Sequence, residues 1–166
     1  AGAYVTSLHY LQNTGTSGHP AFELVNDDLA GISAFAYNTV IYPAFGDIDG
    51  DGDNDLLLGT DDGKLQLFLR NGATYQLSVP NYMNIDVGNS CTPQLVDINR
   101  DGILDLIAGE KNGLINYFKN TGTLTAPMFS AAPSQDTLGG IDVQTPGFTD
   151  GYSVPFLYDT AGLPIA

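Results

Sequence analysis

The chain has no tryptophan, one cysteine, two histidines and two methionines in 166 residues, and only five lysines and arginines against nineteen aspartates and glutamates. With Cys91 alone there is no disulfide within the chain; it reads as a buried, inert thiol, so stability must come from packing and bound metal. A formal charge of −14 excludes nucleic acid as a partner, because nothing here neutralises phosphates. No apolar run approaches the roughly 18 residues of a membrane span, so direct membrane insertion is not expected. Ala1-Gly2-Ala3-Tyr4-Val5 does not read as a signal peptide, which places any export signal outside this segment. His9 and His19 have no Ser or Cys motif to pair with, so no catalytic residue is assigned and a non-enzymatic protein is expected.

What is present is glycine (twenty), proline (nine), nine Tyr and eight Phe. With no convincing amphipathic helix, this suits many short strands joined by tight turns, an all-β protein. Two acidic runs stand out: Asp47-Ile48-Asp49-Gly50-Asp51-Gly52-Asp53-Asn54-Asp55 and Asp97-Ile98-Asn99-Arg100-Asp101-Gly102-Ile103-Leu104-Asp105. Both fit D-x-[DN]-x-D-G-x-x-D. Oxygen side chains at positions 1, 3, 5 and 9, with glycine at 6 for a sharp turn, suit a hard cation that takes six to eight oxygens, so two Ca2+ sites are expected. Position 7 would give its carbonyl. An EF-hand loop begins alike but needs an acid at position 12 and flanking helices. Here position 12 is Leu58 or Ala108, and Leu56-Leu57-Leu58-Gly59 and Leu106-Ile107-Ala108-Gly109 read as buried strands. The competing reading is an acidic solvated turn, favoured more in the second copy, where Asn99 and Arg100 lower the negative charge. The first loop is therefore expected to bind more tightly.

The loops belong to a longer repeat, Pro43 to Gly72 against Pro93 to Gly122, with a period of 50 residues. Such a period points to a propeller or solenoid. Each copy reads as a strand (Pro43 to Ile48; Pro93 to Ile98), the acidic loop, and a second strand (Asp55 to Gly59; Asp105 to Gly109). After a tight turn at 61–63 or 111–113 come a third strand (Lys64 to Leu69; Leu114 to Lys119) and a weaker fourth (Tyr75 to Val79; Met128 to Ala131). Four antiparallel strands make one propeller blade. Asn13-Thr14-Gly15-Thr16 and Asn120-Thr121-Gly122-Thr123 read as hairpin turns in which Asn and Gly supply positive φ. Tyr10, Phe68, Tyr117 and Phe118, at strand spacing, read as core between blades.

Ala44-Phe45-Gly46-Asp47 through Leu58-Gly59, repeated by Gln94 to Gly109, resembles the FG-GAP/VCBS repeats of integrin alpha subunits and of many bacterial surface proteins. The resemblance implies calcium ligands at Asp47, Asp49, Asp51, Asp53 (carbonyl) and Asp55, and at Asp97, Asn99, Asp101, Ile103 (carbonyl) and Asp105. It also implies an incomplete ring of blades: a partial blade over 1–42, blades over 43–92 and 93–153, the latter with an insert, and the first strand of a degenerate blade over 154–166. The expected partners are the remaining blades of the same propeller or other subunits of a surface assembly. The expected setting is a secreted or cell-surface bacterial protein, because loops of this type fill at roughly millimolar calcium. The leading function is a binding or adhesion module for protein or glycan. The alternatives are a propeller part of an extracellular polysaccharide-degrading enzyme, for which cleft cations are scarce, and a structural passenger of secretion or assembly machinery. Fold class does not decide among them.

Overall fold

A computed structural model describes residues 6–35, 40–144 and 146–157. The chain divides into two compact units at residues 40 and 41. Among the described residues no helix is long and apolar enough to cross a membrane.

In the first unit, β1 (Tyr10–Asn13) and β2 (Phe22–Asn26) form an antiparallel hairpin. Its turn rests on Asn13, whose Oδ1 accepts the N–H of Gly15 at 3.0 Å and of Ala21 at 3.2 Å. The second unit repeats this device: Asn120 Oδ1 accepts the N–H of Gly122 and of Met128, each at 2.9 Å. None of Asn13, Gly15, Asn120 and Gly122 has positive φ, so the expected turn chemistry is corrected. The asparagine amide organises the turn, and the glycine is needed for close approach, since a Cβ at Gly15 or Gly122 would lie 2.2 Å from the carbonyl oxygen of His19 or Ala126.

The second unit holds two antiparallel sheets. The first has the order β3 (Ile41–Gly46), β4 (Asp55–Thr60), β5 (Leu65–Asn71), β6 (Thr74–Val79), and the second β7 (Thr92–Val96), β8 (Asp105–Gly109), β9 (Ile115–Phe118). Register repeats with the sequence: Leu57 pairs with Leu67 and, fifty residues on, Ile107 with Tyr117. The continuous apolar runs of β4 and β8 follow from burial on both faces, which removes the alternation of a half-exposed strand. Leu56, Leu57, Leu58, Leu106, Ile107 and Ala108 are all fully buried, and each large side chain among them contributes roughly 1.5–3 kcal/mol. Leu57, Leu65 and Leu67 of the first sheet and Leu106, Ala108 and Phe118 of the second share one core, with β3 lying beside β7. Among the described residues the nine strands, all in antiparallel sheets, make an all-β fold consistent with propeller blades, and they close no ring.

Two glycines let the repeats nest. A Cβ at Gly59 would lie 2.1 Å from the carbonyl oxygen of Cys91, and one at Gly109 would lie 2.1 Å from that of Ser153. Each closes the approach of the segment that follows its own sheet.

Three expectations change. Met128 to Ala131 forms no strand; instead Tyr117 makes an isolated bridge with Gln135. Pro127 and Pro133 bracket the segment and donate no N–H, while the Met128 N–H is taken by Asn120. Phe68 and Phe118 are core, but Tyr10 is 43% exposed and the Tyr117 hydroxyl bonds a carboxylate. Val154 to Leu157 form no strand, although Leu157 is bonded to Gln94; the remainder of that expected blade, 158–166, lies outside the described residues.

Candidate metal centre

Loop 1 leaves β3 at Gly46 and enters β4 at Asp55; its side chains curl the backbone. Asp47 Oδ1 accepts the N–H groups of Gly50 at 2.8 Å and Asp51 at 3.1 Å, and Oδ2 that of Gly52 at 3.0 Å. Asp49 Oδ1 accepts Asp51 N–H at 3.2 Å, and Asp51 Oδ1 accepts Asp53 N–H at 2.8 Å. Loop 2 is built alike. Asp97 accepts from Asp101 at 3.0 Å and Gly102 at 2.8 Å, Asn99 from Asp101 at 2.9 Å, and Asp101 from Ile103 at 3.1 Å. Position 4 requires positive φ in both loops. Gly50 adopts 74° without cost, and Arg100 adopts 60° in the region that side chains avoid.

The position-9 carboxylates are buried at the start of the central strands. Asp55 Oδ1 accepts the N–H of Arg70 at 2.9 Å and Oδ2 that of Ile48 at 3.0 Å. Asp105 Oδ1 accepts the N–H of Asn120 at 2.8 Å, but Oδ2 takes the hydroxyl of Tyr117 at 3.0 Å. Burial pushes both carboxyls above their ordinary range against these hydrogen bonds, and neighbouring charges add to the rise: Asp49 and Asp51 around Asp55, Asp101 and Asp97 around Asp105.

Loop 1 draws its acids together: Asp47, Asp49 and Asp55 each place an oxygen within 4.8 Å of the others. Asp51 is exposed, and the Asp53 side chain turns to Arg70 at 3.6 Å. Among the described residues no such convergence joins Asp97, Asp101 and Asp105, while Asn99 is exposed and Ile103 half-buried. The residue that separates the loops is Tyr117, whose hydroxyl bonds Asp105. The sequence reading missed it as a site residue. The signal was there, since the 50-residue register sets Tyr117 opposite Leu67, a hydroxyl where the other copy has only hydrocarbon.

Among curated proteins and among solved structures nothing matches the chain. The FG-GAP-like repeat family model matches residues 47–108, from the first residue of loop 1 through loop 2 into β8. The match spans both acidic loops and the central strand β4, and over residues 47–108 the chain is similar to FG-GAP-like repeats.

Proposed function

We propose that this chain is a calcium-stabilised propeller segment of a larger secreted or cell-surface bacterial protein, serving as a non-catalytic binding or adhesion module. The observation that carries the reading is the convergence of Asp47, Asp49 and Asp55 oxygens within 4.8 Å. Calcium–oxygen bonds of about 2.3–2.6 Å put ligands on opposite sides of one ion about 5 Å apart, so the three fit one calcium shell, with Asp51 and the Asp53 carbonyl as the further ligands. A divalent ion there offsets the mutual repulsion of the loop carboxylates and ties the end of β3 to the start of β4. Weak extracellular calcium loops fill at roughly 10⁻⁴ to 10⁻³ M, which supports a setting outside the cell.

Partner binding draws support from two surfaces of the second unit. Exposed apolar side chains, among them Phe148, Val154 and Phe156, suit cover by further blades of the same protein or by another subunit. An open depression beside loop 1 is lined by Asp49, Asp51, Arg70, Asn71, Gln76 and Ser78, donors and acceptors of the kind that bind a glycan or a polar peptide. Melting the chain in EGTA and in about 2 mM calcium, above the usual range for extracellular modules, tests the reading. A rise in midpoint with calcium supports it, and identical midpoints overturn it.

A further inference from the structure

We propose that the Tyr117 hydroxyl takes the place of the cation in loop 2, so that this chain binds calcium at loop 1 alone. The inference rests on reading loop 1 as a calcium site.

A cation in loop 2 has to reach the position-3 and position-9 side chains, Asn99 and Asp105. The Tyr117 hydroxyl already occupies the position-9 carboxylate, 3.0 Å from Asp105 Oδ2. An ion bonded to both at about 2.3–2.6 Å needs that same space. The other Asp105 oxygen is held by the N–H of Asn120. In loop 1 the corresponding strand residue is Leu67, 5% exposed in the core, and Asp55 accepts the backbone N–H groups of Ile48 and Arg70, with no side-chain hydroxyl in the Tyr117 position.

Charge runs the same way. Loop 1 holds five carboxylates, whereas loop 2 holds three with Arg100 among them, and fewer negative ligands weaken calcium binding. A phenol donating to the buried Asp105 gives that carboxylate the compensation that the ion supplies to Asp55. The repeat thus contains one metal-closed and one hydroxyl-closed loop.

Equilibrium dialysis of the full chain against about 5 mM calcium, above the range of weak sites, counts the ions. Wild type is expected to bind one, lost in Asp49→Ala and kept in Asp101→Ala. Tyr117→Phe and Tyr117→Leu, the latter recreating the loop 1 residue, are each expected to bind two, with unchanged far-UV circular dichroism. Two ions on wild type, or no gain in either folded Tyr117 variant, overturn the inference and leave loop 1 standing. No ion on wild type but one on the Tyr117 variants would overturn the reading of loop 1 while supporting the role of Tyr117. If neither wild type nor variants bind, both fall.

Discussion

Gln94 holds Leu157 by two hydrogen bonds: its Nε2 donates to the Leu157 carbonyl at 3.0 Å, and its Oε1 accepts the Leu157 N–H at 2.9 Å. A side-chain amide here does what a backbone ladder does between strands, fixing the segment beyond Ser153 beside β7. Its counterpart in the first repeat is Ala44, which is buried among apolar neighbours. Gln94→Ala is expected to cost about 1–2 kcal/mol, the net value of two such bonds. Urea denaturation measures it, and a midpoint equal to wild type would show that the pair contributes nothing.

The nesting glycines give a larger effect. Gly59→Ala and Gly109→Ala each force a methyl to within 2.1 Å of a backbone oxygen, and a backbone that must shift is expected to cost roughly 3 kcal/mol. Gly18, with nothing within 4 Å of a Cβ, is the control, where alanine is expected to stay within about 0.5 kcal/mol. Thermal melts separate the cases; equal midpoints for all three variants would contradict the close approach.

Cys91 is fully buried, and burial, with Asp86, Asp62 and Glu110 adding negative charge, pushes its thiol up to about 12. Against an ordinary thiol near 8.5, the thiolate fraction at pH 8 falls by about two thousandfold. A disulfide reagent is therefore expected to label the native chain far more slowly than the urea-unfolded chain. Equal rates would place the thiol at the surface.

Glu110 is raised above its ordinary 4.5 by burial. The folded state then holds a proton that the unfolded chain has already lost. Its contribution to stability accordingly grows as pH falls through the folded value toward 4.5 and is lost again as pH rises. Midpoints measured in EGTA for wild type and Glu110→Gln should converge toward the acid end of that window, with wild type the less stable at pH 7. A wild type that gains on the variant as pH rises would reverse the sign and refute the burial argument.

The acidic loops and central strands were legible because their signals are local: a glycine inside a run of carboxylates, then an apolar run too continuous for a half-exposed strand. Position 9 was also readable, since spacing alone places Asp55 and Asp105 at strand starts. Tyr117 was missed: the repeat register sets a hydroxyl opposite Leu67, but strand alternation tells only which face that side chain takes, not that its hydroxyl meets a carboxylate twelve residues earlier on the neighbouring strand. Gln94 and Leu157 are 63 residues apart, and no periodic pattern links them. The missing fourth strand of the second sheet came down to Pro127 and Pro133, whose effect on a weak strand outweighs propensity. The hairpin turns were located correctly but misread in mechanism, because asparagine followed by glycine suggests positive φ as readily as a side-chain cap.

Anomalous diffraction from crystals of the full chain grown in calcium tests the central claim most directly. The account predicts a calcium peak in loop 1, within about 2.3–2.6 Å of oxygens from Asp47, Asp49 and Asp55. Those three carboxylates refined in well-ordered density, with no anomalous peak among them at saturating calcium, would contradict it.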